Sequence, residues 1–454
     1  MRRHARSTSL ICHLLLSFVL SAAARAQSPA VGSEVKVTPA PPPESLPVAG
    51  APQPPLAPPP PAPEPALPAS ETAAPASGTA ATASAEAKPP NPVAGYIPGT
   101  GFVIQSPDLN FRMRIGLVGG YKFEPTYADG AWQQRNTFFV LRPFLGGNFF
   151  RDWIHFWTSF EFAANPPYLL DSYVEFAPSK LFTLRVGQQW TPFDRHEYFG
   201  PQEILFPEWA PVSEYFWSGR DKGFTALGTL AEQLDYYLGL YSGTPLRQYN
   251  ALPGNYVLEA RFTWNPLGPT ATTEFPYIVS EGPVPFRVSA TLQGYYGKVQ
   301  SATENFNPST FRFETEATGE TNRQAAGGAD FWLQTAWLYF YVDGFVRRTE
   351  PSMAARYTSV GFWAQAGVPL VAKTLDIATR FNWLDASIDL GGDDFYSIEG
   401  QLAYYVSHSQ GLVVKLRYAA GHQSSPGMAA LGDVPLITTP GWTQLGTLQL
   451  NIAL

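Results

Sequence analysis

The chain has 454 residues and a formal net charge of −7, with 45% hydrophobic and 14% aromatic residues. The acidic balance argues against nucleic acid or another polyanion as a partner. The single cysteine, Cys12, lies in an apolar stretch near the N-terminus. The rest of the chain has no thiol, which excludes disulfides, thiolate catalysis and cysteine-bound metals there.

Residues 1–26 have the pattern of a secretory signal peptide. Three arginines precede an apolar core from Leu10 to Leu20, and small residues lead to a cleavage site before Gln27. Cleavage removes four arginines and no acidic residue, which changes the net charge from −7 to −11. The core is too short for a stable spanning helix, and no later stretch approaches the roughly twenty apolar residues that such a helix needs.

Residues 27–95 form a segment of different composition. They contain no Phe, Tyr or Trp and are dominated by Pro and Ala. Such a segment cannot bury enough apolar surface to offset its conformational entropy. We therefore expect a disordered, extended periplasmic linker, with contact to the cell-wall layer as the alternative to a linker without partners.

From Tyr96 onward the chain has 64 aromatic residues in 359 positions, and apolar and polar residues alternate. Because side chains alternate across a strand, a run such as 111–123 has one apolar face and one basic face. Sixteen such runs predict an all-β protein, a 16-stranded antiparallel transmembrane β-barrel over residues 96–454. The runs are about 111–123, 137–149, 153–163, 169–176, 181–190, 223–230, 234–242, 255–264, 286–297, 327–335, 337–348, 356–366, 374–384, 395–406, 411–420 and 441–454.

The connections between these runs alternate in length. Short turns on one side and long loops on the other are typical of an outer-membrane barrel, with both barrel ends on the periplasmic side. The connection 265–285 is long where this rule expects a short turn. A soluble β-sandwich would alternate equally well, but its inner faces should be more apolar than the charged face seen here. The tight connections are 151–152, 177–180, 231–233, 336 and 407–410.

A long stretch without apolar periodicity, 191–222, follows the fifth run and is the third long connection. Loops of this length inside a regular β protein are usually functional. We predict that this one folds into the pore as a constriction loop. Its charged residues are Asp194, Arg195, Glu197, Glu203, Glu208, Glu214, Arg220 and Lys222.

Four segments resemble the phosphate-selective porin O and P family of outer-membrane proteins. They are 169–174, 185–188 with 191–193, 219–223 and 265–268, which occur in the family's order and spacing over about residues 100–454. The resemblance implies a sixteen-stranded barrel, usually trimeric, whose third outer loop folds inward. The last run alternates as far as Leu454. Barrel-assembly machinery commonly reads such a strand with a terminal aromatic residue, from which Leu454 is a mild departure.

The family's phosphate preference depends on lysines and an arginine ladder around the constriction. The barrel portion here has 24 basic and 32 acidic residues, and the loop is acidic. Loop carboxylates facing a partly basic wall predict a transverse field with weak or cation-leaning selectivity, and anions such as phosphate are the other outcome. The predicted pore-wall residues are Arg112, Arg114, Arg142, Arg185, Arg261, Arg287, Arg380, Arg417, Glu161, Asp171, Glu175, Glu259 and Glu399.

Enzyme motifs are weak throughout the chain, and we expect neither catalysis nor a cofactor nor a metal site. The acidic turn 385–394 invites Ca²⁺ binding, but an ordinary acidic outer loop is favoured. The aromatic residues Trp332, Trp337, Tyr339 and Tyr341 suggest an interface girdle more simply than a carbohydrate site.

The prediction is therefore a porin in the outer membrane of a Gram-negative bacterium, in contact with outer-membrane lipid. It would allow passive diffusion of small hydrophilic solutes or ions. The alternative is a secreted β-rich enzyme or carbohydrate-binding protein tethered by the Pro-rich segment.

Overall fold

A computed structural model describes residues 93–97, 101–128, 131–164, 167–244, 254–280, 282–307, 312–352, 354–389, 393–406, 411–424 and 441–454. The predicted signal peptide, all but the last three residues of the predicted linker, and the predicted tight turn 407–410 lie outside these residues. Among the described residues, no helix is both long and apolar enough to cross a membrane.

The described residues form eighteen strands, all paired antiparallel, two short α-helices and one turn of 3₁₀ helix at His196–Tyr198. The strands are β1 (Val93–Ile97), β2 (Gly101–Gln105), β3 (Arg112–Ala128), β4 (Ala131–Asn148), β5 (Ile154–Glu161), β6 (Tyr168–Ser179), β7 (Phe182–Trp190), β8 (Arg220–Leu230), β9 (Leu234–Tyr241), β10 (Tyr256–Trp264), β11 (Arg287–Asn307), β12 (Arg312–Gln334), β13 (Tyr339–Glu350), β14 (Tyr357–Val371), β15 (Leu375–Asp385), β16 (Asp394–Tyr405), β17 (Leu412–Gln423) and β18 (Gly441–Ala453). The helices are α1 (Pro211–Phe216) and α2 (Pro276–Val279).

Strands β3 to β18 form a closed barrel of sixteen strands. Each pairs with its neighbour in sequence, and β18 pairs back onto β3, with Ala453 opposite Val118 and Gln444 opposite Tyr127. Each of the sixteen predicted runs overlaps one of these strands, including 327–335, which overlaps the last part of β12. The predicted sixteen-stranded antiparallel barrel is confirmed.

A short N-terminal hairpin, β1 and β2, was not predicted. Phe102 to Gln105 of β2 pair with residues 112–115 of β3, which precede the part of β3 that pairs with β18. The last residue, Leu454, exchanges backbone hydrogen bonds with Leu117, so β3 is paired along this edge by β2 and β18 in turn. β1 begins at Val93, three residues before the predicted start of the barrel portion at residue 96.

The alternation of side chains separates an apolar outer face from a polar inner face. In β17, Leu416 and Tyr418 are 57% and 55% exposed on the outside, whereas Lys415 and Arg417 are 1% and 2% exposed in the lumen. An apolar outer face suits the hydrocarbon core of a membrane, and closure leaves no strand edge without hydrogen bonds.

Three of the four aromatic residues assigned to an interface girdle lie elsewhere. Trp332, Tyr339 and Tyr341 are fully buried, whereas Trp337 is 56% exposed on the outer surface. The girdle prediction is therefore wrong for the three buried residues. They face the lumen, where they pack against segments that enter the barrel.

Two segments fold into the barrel from its opposite rims. The constriction loop, residues 191–219, enters from the rim of the outer loops and carries α1. The periplasmic connection, residues 265–286, joins β10 to β11 on the rim of the short turns and carries α2. Their apolar residues, among them Leu205, Phe216 and Ile278, form a buried cluster with the lumen-facing aromatic residues of β12 to β14. The unusual length of 265–285 is thereby explained, because this connection fills part of the lumen.

Two glycines of β14 make room for the inward segments. A Cβ atom at Gly361 would lie 2.8 Å from Phe216 and 2.9 Å from Val212, both in the constriction loop. A Cβ atom at Gly367 would lie 2.7 Å from the Tyr277 hydroxyl of the periplasmic connection. Larger residues at these positions would displace the segments from the wall.

The variant Gly361→Leu is expected to lower the free energy of unfolding by about 1–3 kcal/mol, the usual effect of overpacking. The measurement is the midpoint of urea unfolding in detergent micelles. Gly400→Leu is the matched control, because a Cβ atom there meets nothing within 4 Å. Equal midpoints for the two variants would contradict the close packing of the loop against β14.

Candidate pore constriction

The constriction loop is held against β13 to β17 through its own backbone. Lys415 Nζ donates to the carbonyl oxygens of Ile204 and Phe206 at 2.7 and 2.9 Å. Gln401 Nε2 donates to the carbonyl oxygen of Leu205, which lies between them, at 2.5 Å. These donors are buried, so this part of the wall anchors the loop and does not face open space.

A charged network continues the anchoring farther along the loop. Arg380 donates through Nη1 to the carbonyl oxygen of Glu208 at 2.9 Å, and through Nε and Nη2 to the Glu399 carboxylate, also at 2.9 Å. Arg417 lies 2.7 Å from Glu399 and 3.6 Å from Glu208. Lys122 of β3 also pairs with Glu208. Three cations therefore surround two carboxylates in the interior of the barrel.

Most of the other charged residues of the loop are also buried. Asp194 and Glu197 are 0% and 2% exposed, and Asp194 accepts a hydrogen bond from the His196 backbone N–H at 2.8 Å. Arg195 donates to Ser289 and Thr270 and lies 3.6 Å from Asp330. Glu214 in α1 is partly buried.

Open space lies on the opposite side of the lumen. A cavity of about 380 Å³ separates the wall of β3 to β8 from residues 198–203 of the constriction loop and reaches Leu454. Six charged residues line it, four of them arginines: Arg114, Arg142, Arg185, Arg220, Asp171 and Glu203. Aromatic rings lie between them: Phe144, Trp157, Tyr173, Trp190 and Tyr198.

Three of these arginines have carboxylate partners on other strands of the same wall. Arg142 Nε donates to Glu161 at 2.6 Å, Arg185 Nε to Glu175 at 2.7 Å, and Arg220 Nε to Asp171 at 2.9 Å. A guanidinium has five N–H donors, so each pair leaves donors for other groups. Arg220 Nη2 is one such donor, buried and without a hydrogen-bond partner among the described residues.

The fourth arginine, Arg114, rests on aromatic rings. Its guanidinium carbon lies 5.2 Å from the ring centroids of both Phe144 and Trp157. Aromatic faces attract a cation and leave the edge of the guanidinium available. Glu203 lies on the loop side of the same cavity, where its carboxylate accepts a hydrogen bond from the Gly200 N–H at 2.8 Å.

The remaining predicted pore-wall residues lie outside the cavity lining. Arg261 stacks on Tyr237 and Tyr198 at 4.1 and 4.7 Å, and Glu259 accepts the Phe193 N–H at 3.2 Å. Arg112, at the start of β3, is exposed, and Arg287, at the start of β11, is partly buried. These residues therefore support the wall or its rim.

Two sequence predictions about the constriction need correction. The loop ends at residue 219 and not at 222, because Arg220 and Lys222 belong to β8 and pair with β7. The predicted row of five loop carboxylates against a basic wall is also wrong, since of these five Glu203 alone lines the cavity. Glu208 is neutralised by the cations that anchor the loop. Arg380, Arg417 and Glu399, predicted to line the pore, are anchors as well.

Sequence reasoning missed several of the residues that hold the constriction. Lys122 and Lys415 occupy lumen-facing positions of the same alternating pattern, so the alternation could have identified them. His196 and Glu274 had no such signal, because both lie in segments without periodicity. Among the described residues, no group of three or more His, Cys, Asp or Glu side chains is arranged to hold a metal ion.

The barrel is similar to solved structures of outer-membrane proteins. One is the anion-selective porin from Comamonas acidovorans, with a TM-score of 0.52 and 10% sequence identity over 75% of this chain and 100% of that chain. Another is a trimer form of OmpT, an outer membrane protein of Vibrio cholerae, with a TM-score of 0.50 and 9% identity over 75% of this chain and 99% of that chain. No protein-family model and no curated protein matches the sequence.

The likeness is one of fold, and the fold is that of an outer-membrane porin. A closed antiparallel barrel with an apolar outer surface and a polar interior is the architecture of outer-membrane proteins of Gram-negative bacteria. The protein is located in that membrane.

Proposed function

We propose that the protein is a passive diffusion channel for small hydrophilic solutes, with selectivity that leans toward anions. The observation that carries this proposal is the cavity between β3 to β8 and the constriction loop, lined by four arginines and two carboxylates. Guanidinium groups bind carboxylate and phosphate oxygens well, because their planar donors match them. The sequence favoured cation-leaning selectivity, but that expectation relied on five loop acids, of which all but Glu203 lie outside the cavity lining.

The reversal potential across a planar bilayer with a salt gradient tests this proposal. An anion-to-cation permeability ratio above one supports it, and a ratio at or below one would overturn it. Replacing chloride by phosphate, sulfate or a small carboxylate then distinguishes general anion preference from preference for one anion. The phosphate preference of the porin O and P family is one outcome of this series, and the family assignment rests on the sequence motifs alone.

We further propose a homotrimer in contact with outer-membrane lipid, inserted by barrel-assembly machinery after signal-peptide cleavage at residue 26. The trimer form of the similar Vibrio cholerae protein supports the assembly. A channel without catalytic activity also fits the charged residues of the wall, most of which are paired with one another. The secreted, tethered enzyme or carbohydrate-binding protein has no comparable support, because a closed barrel with an apolar outer surface needs detergent or lipid.

A further inference from the structure

The constriction loop and the periplasmic connection meet at one buried carboxylate, Glu274. Its Oε1 atom lies 2.8 Å from His196 Nδ1 and accepts the Tyr339 hydroxyl at 3.0 Å. Its Oε2 atom accepts the Leu205 backbone N–H at 2.7 Å. Glu274 and His196 are both fully buried. One side chain of the connection therefore binds two points of the loop and one point of the wall.

The hydrogen bonds around His196 define its tautomer. Its Nε2 atom lies 3.2 Å from the backbone nitrogen of Ala210, which can only donate. Nε2 must then be an acceptor without a proton, so Nδ1 carries the proton and donates it to Glu274. The Glu274 carboxylate accepts hydrogen bonds from His196, Tyr339 and the Leu205 backbone.

Residues 273 and 274 of the periplasmic connection also hold Glu203, the charged loop residue that lines the cavity. The backbone N–H of Glu274 donates to the carbonyl oxygen of Glu203 at 2.9 Å, and the Thr273 hydroxyl donates to the same oxygen at 3.2 Å. The Glu203 side chain lies in the cavity on the other side. The position of Glu203 relative to the arginine wall is thus determined by a segment that enters from the periplasmic rim.

We propose that Glu274 is a positioning residue of the constriction, through which the periplasmic connection sets the width and the charge of the solute path. The inference rests on the proposed function in one respect, since it takes the cavity beside Glu203 as the path. The inference goes beyond the proposed function because it assigns control of the constriction to the opposite rim of the barrel. Glu274 acts through His196 and Leu205 and through the backbone of Glu203.

The variant Glu274→Gln tests this inference. A carboxylate only accepts hydrogen bonds, whereas an amide presents an NH₂ group, which would face the donors of His196, Tyr339 or Leu205. We expect the loop to shift from its place and single-channel conductance to rise by about twofold or more, with a changed reversal potential because Glu203 moves. Glu232→Gln is the matched control, since Glu232 is exposed in the turn between β8 and β9. Conductance and reversal potential equal to those of the parent protein would overturn the inference.

Two further variants separate positioning from a general loss of stability. If Glu274 acts through His196, the effects of Glu274→Gln and His196→Asn on conductance should not add in the double variant, and additive effects would contradict that route. Tyr339→Phe removes one hydrogen bond and keeps the ring, so it should raise conductance less than Glu274→Gln. A folded barrel shows a gel shift on heating. If Glu274→Gln lacks that shift, Tyr339→Phe becomes the test, and an unchanged conductance of Tyr339→Phe would then overturn the inference.

The two proposals fail in different ways. If the parent protein forms no channels, or its channels prefer cations, the proposed function fails before any variant is measured. If the parent protein forms anion-preferring channels and the Glu274 and Tyr339 variants match it, the positioning role alone is overturned.

Discussion

The variant Glu399→Ala is expected to lower the free energy of unfolding by about 3–5 kcal/mol, the range for breaking a buried ion pair by removal of one partner. Glu399 is 1% exposed, and its two oxygens accept from Arg380 and Asn382 and pair with Arg417. Its loss leaves two buried guanidinium groups with one remaining carboxylate, Glu208. Unpaired buried charge is far more costly than a missing contact.

Urea unfolding in detergent micelles gives the size of this effect. The gel shift on heating reports the folded fraction at each urea concentration, and the midpoint is compared with that of the parent protein. The control is Glu350→Ala. Glu350 pairs with Arg323 and Arg348, and its side chain is 39% exposed. An exposed pair contributes only about 0–1 kcal/mol. A small effect at Glu399, comparable to that at Glu350, would mean that water reaches the Arg380 and Arg417 side chains.

The loss of Glu399 should also change conduction. Arg380 and Arg417 hold the loop at Glu208 only while their own charges are balanced. Channels of the variant that remain folded should therefore show a higher and noisier conductance than those of the parent. A stability change with parent-like conductance would assign the network to the wall and not to the loop.

The second large effect is expected in the double variant Arg114→Gln and Arg185→Gln. Both side chains line the cavity, and their removal takes two positive charges from its surface. Charges a few ångströms from an ion interact with it by about 4 kcal/mol at an effective dielectric constant of about 20. A tenfold change in the permeability ratio corresponds to about 1.4 kcal/mol. A fraction of the interaction energy is therefore enough to produce such a change. The channel should therefore lose its anion preference.

Reversal potentials in the same salt gradient measure this change. Arg151→Gln is the matched control, because Arg151 is exposed between β4 and β5 and is absent from the cavity lining. A parent-like permeability ratio in the double variant would show that ions take another path. Loss of Arg185 also frees Glu175, which adds a negative charge near the path and acts in the same direction.

The contrast between the two groups of arginines is a result that the sequence did not predict. Arg380 and Arg417 alternate along their strands in the same way as Arg114 and Arg185, and all four face the lumen. The loop covers the first two and leaves the other two beside open space. Position in a strand pattern therefore predicts the face of a side chain, but it does not predict what the side chain meets.

The sequence by itself determined the barrel. Alternation is a local property with a period of two residues, so each strand could be recognised without knowledge of its partners. The sequence also indicated that a long loop follows β7 and that residues 265–285 break the rule of short turns. It gave no signal for the hairpin of β1 and β2, whose strands have only five residues each.

Tertiary structure alone decided how the lumen is used. Lys415 contacts Ile204 across 211 positions of sequence, and His196 meets Glu274 across 78. Such contacts depend on where two aperiodic segments cross inside a closed wall, and no local pattern encodes that crossing. The sequence thus established a charged lumen with an inserted loop. The fold decided that most of the loop's acids lie away from the cavity, among them Glu208, which is neutralised by the cations that anchor the loop, and that the open side is lined by arginines.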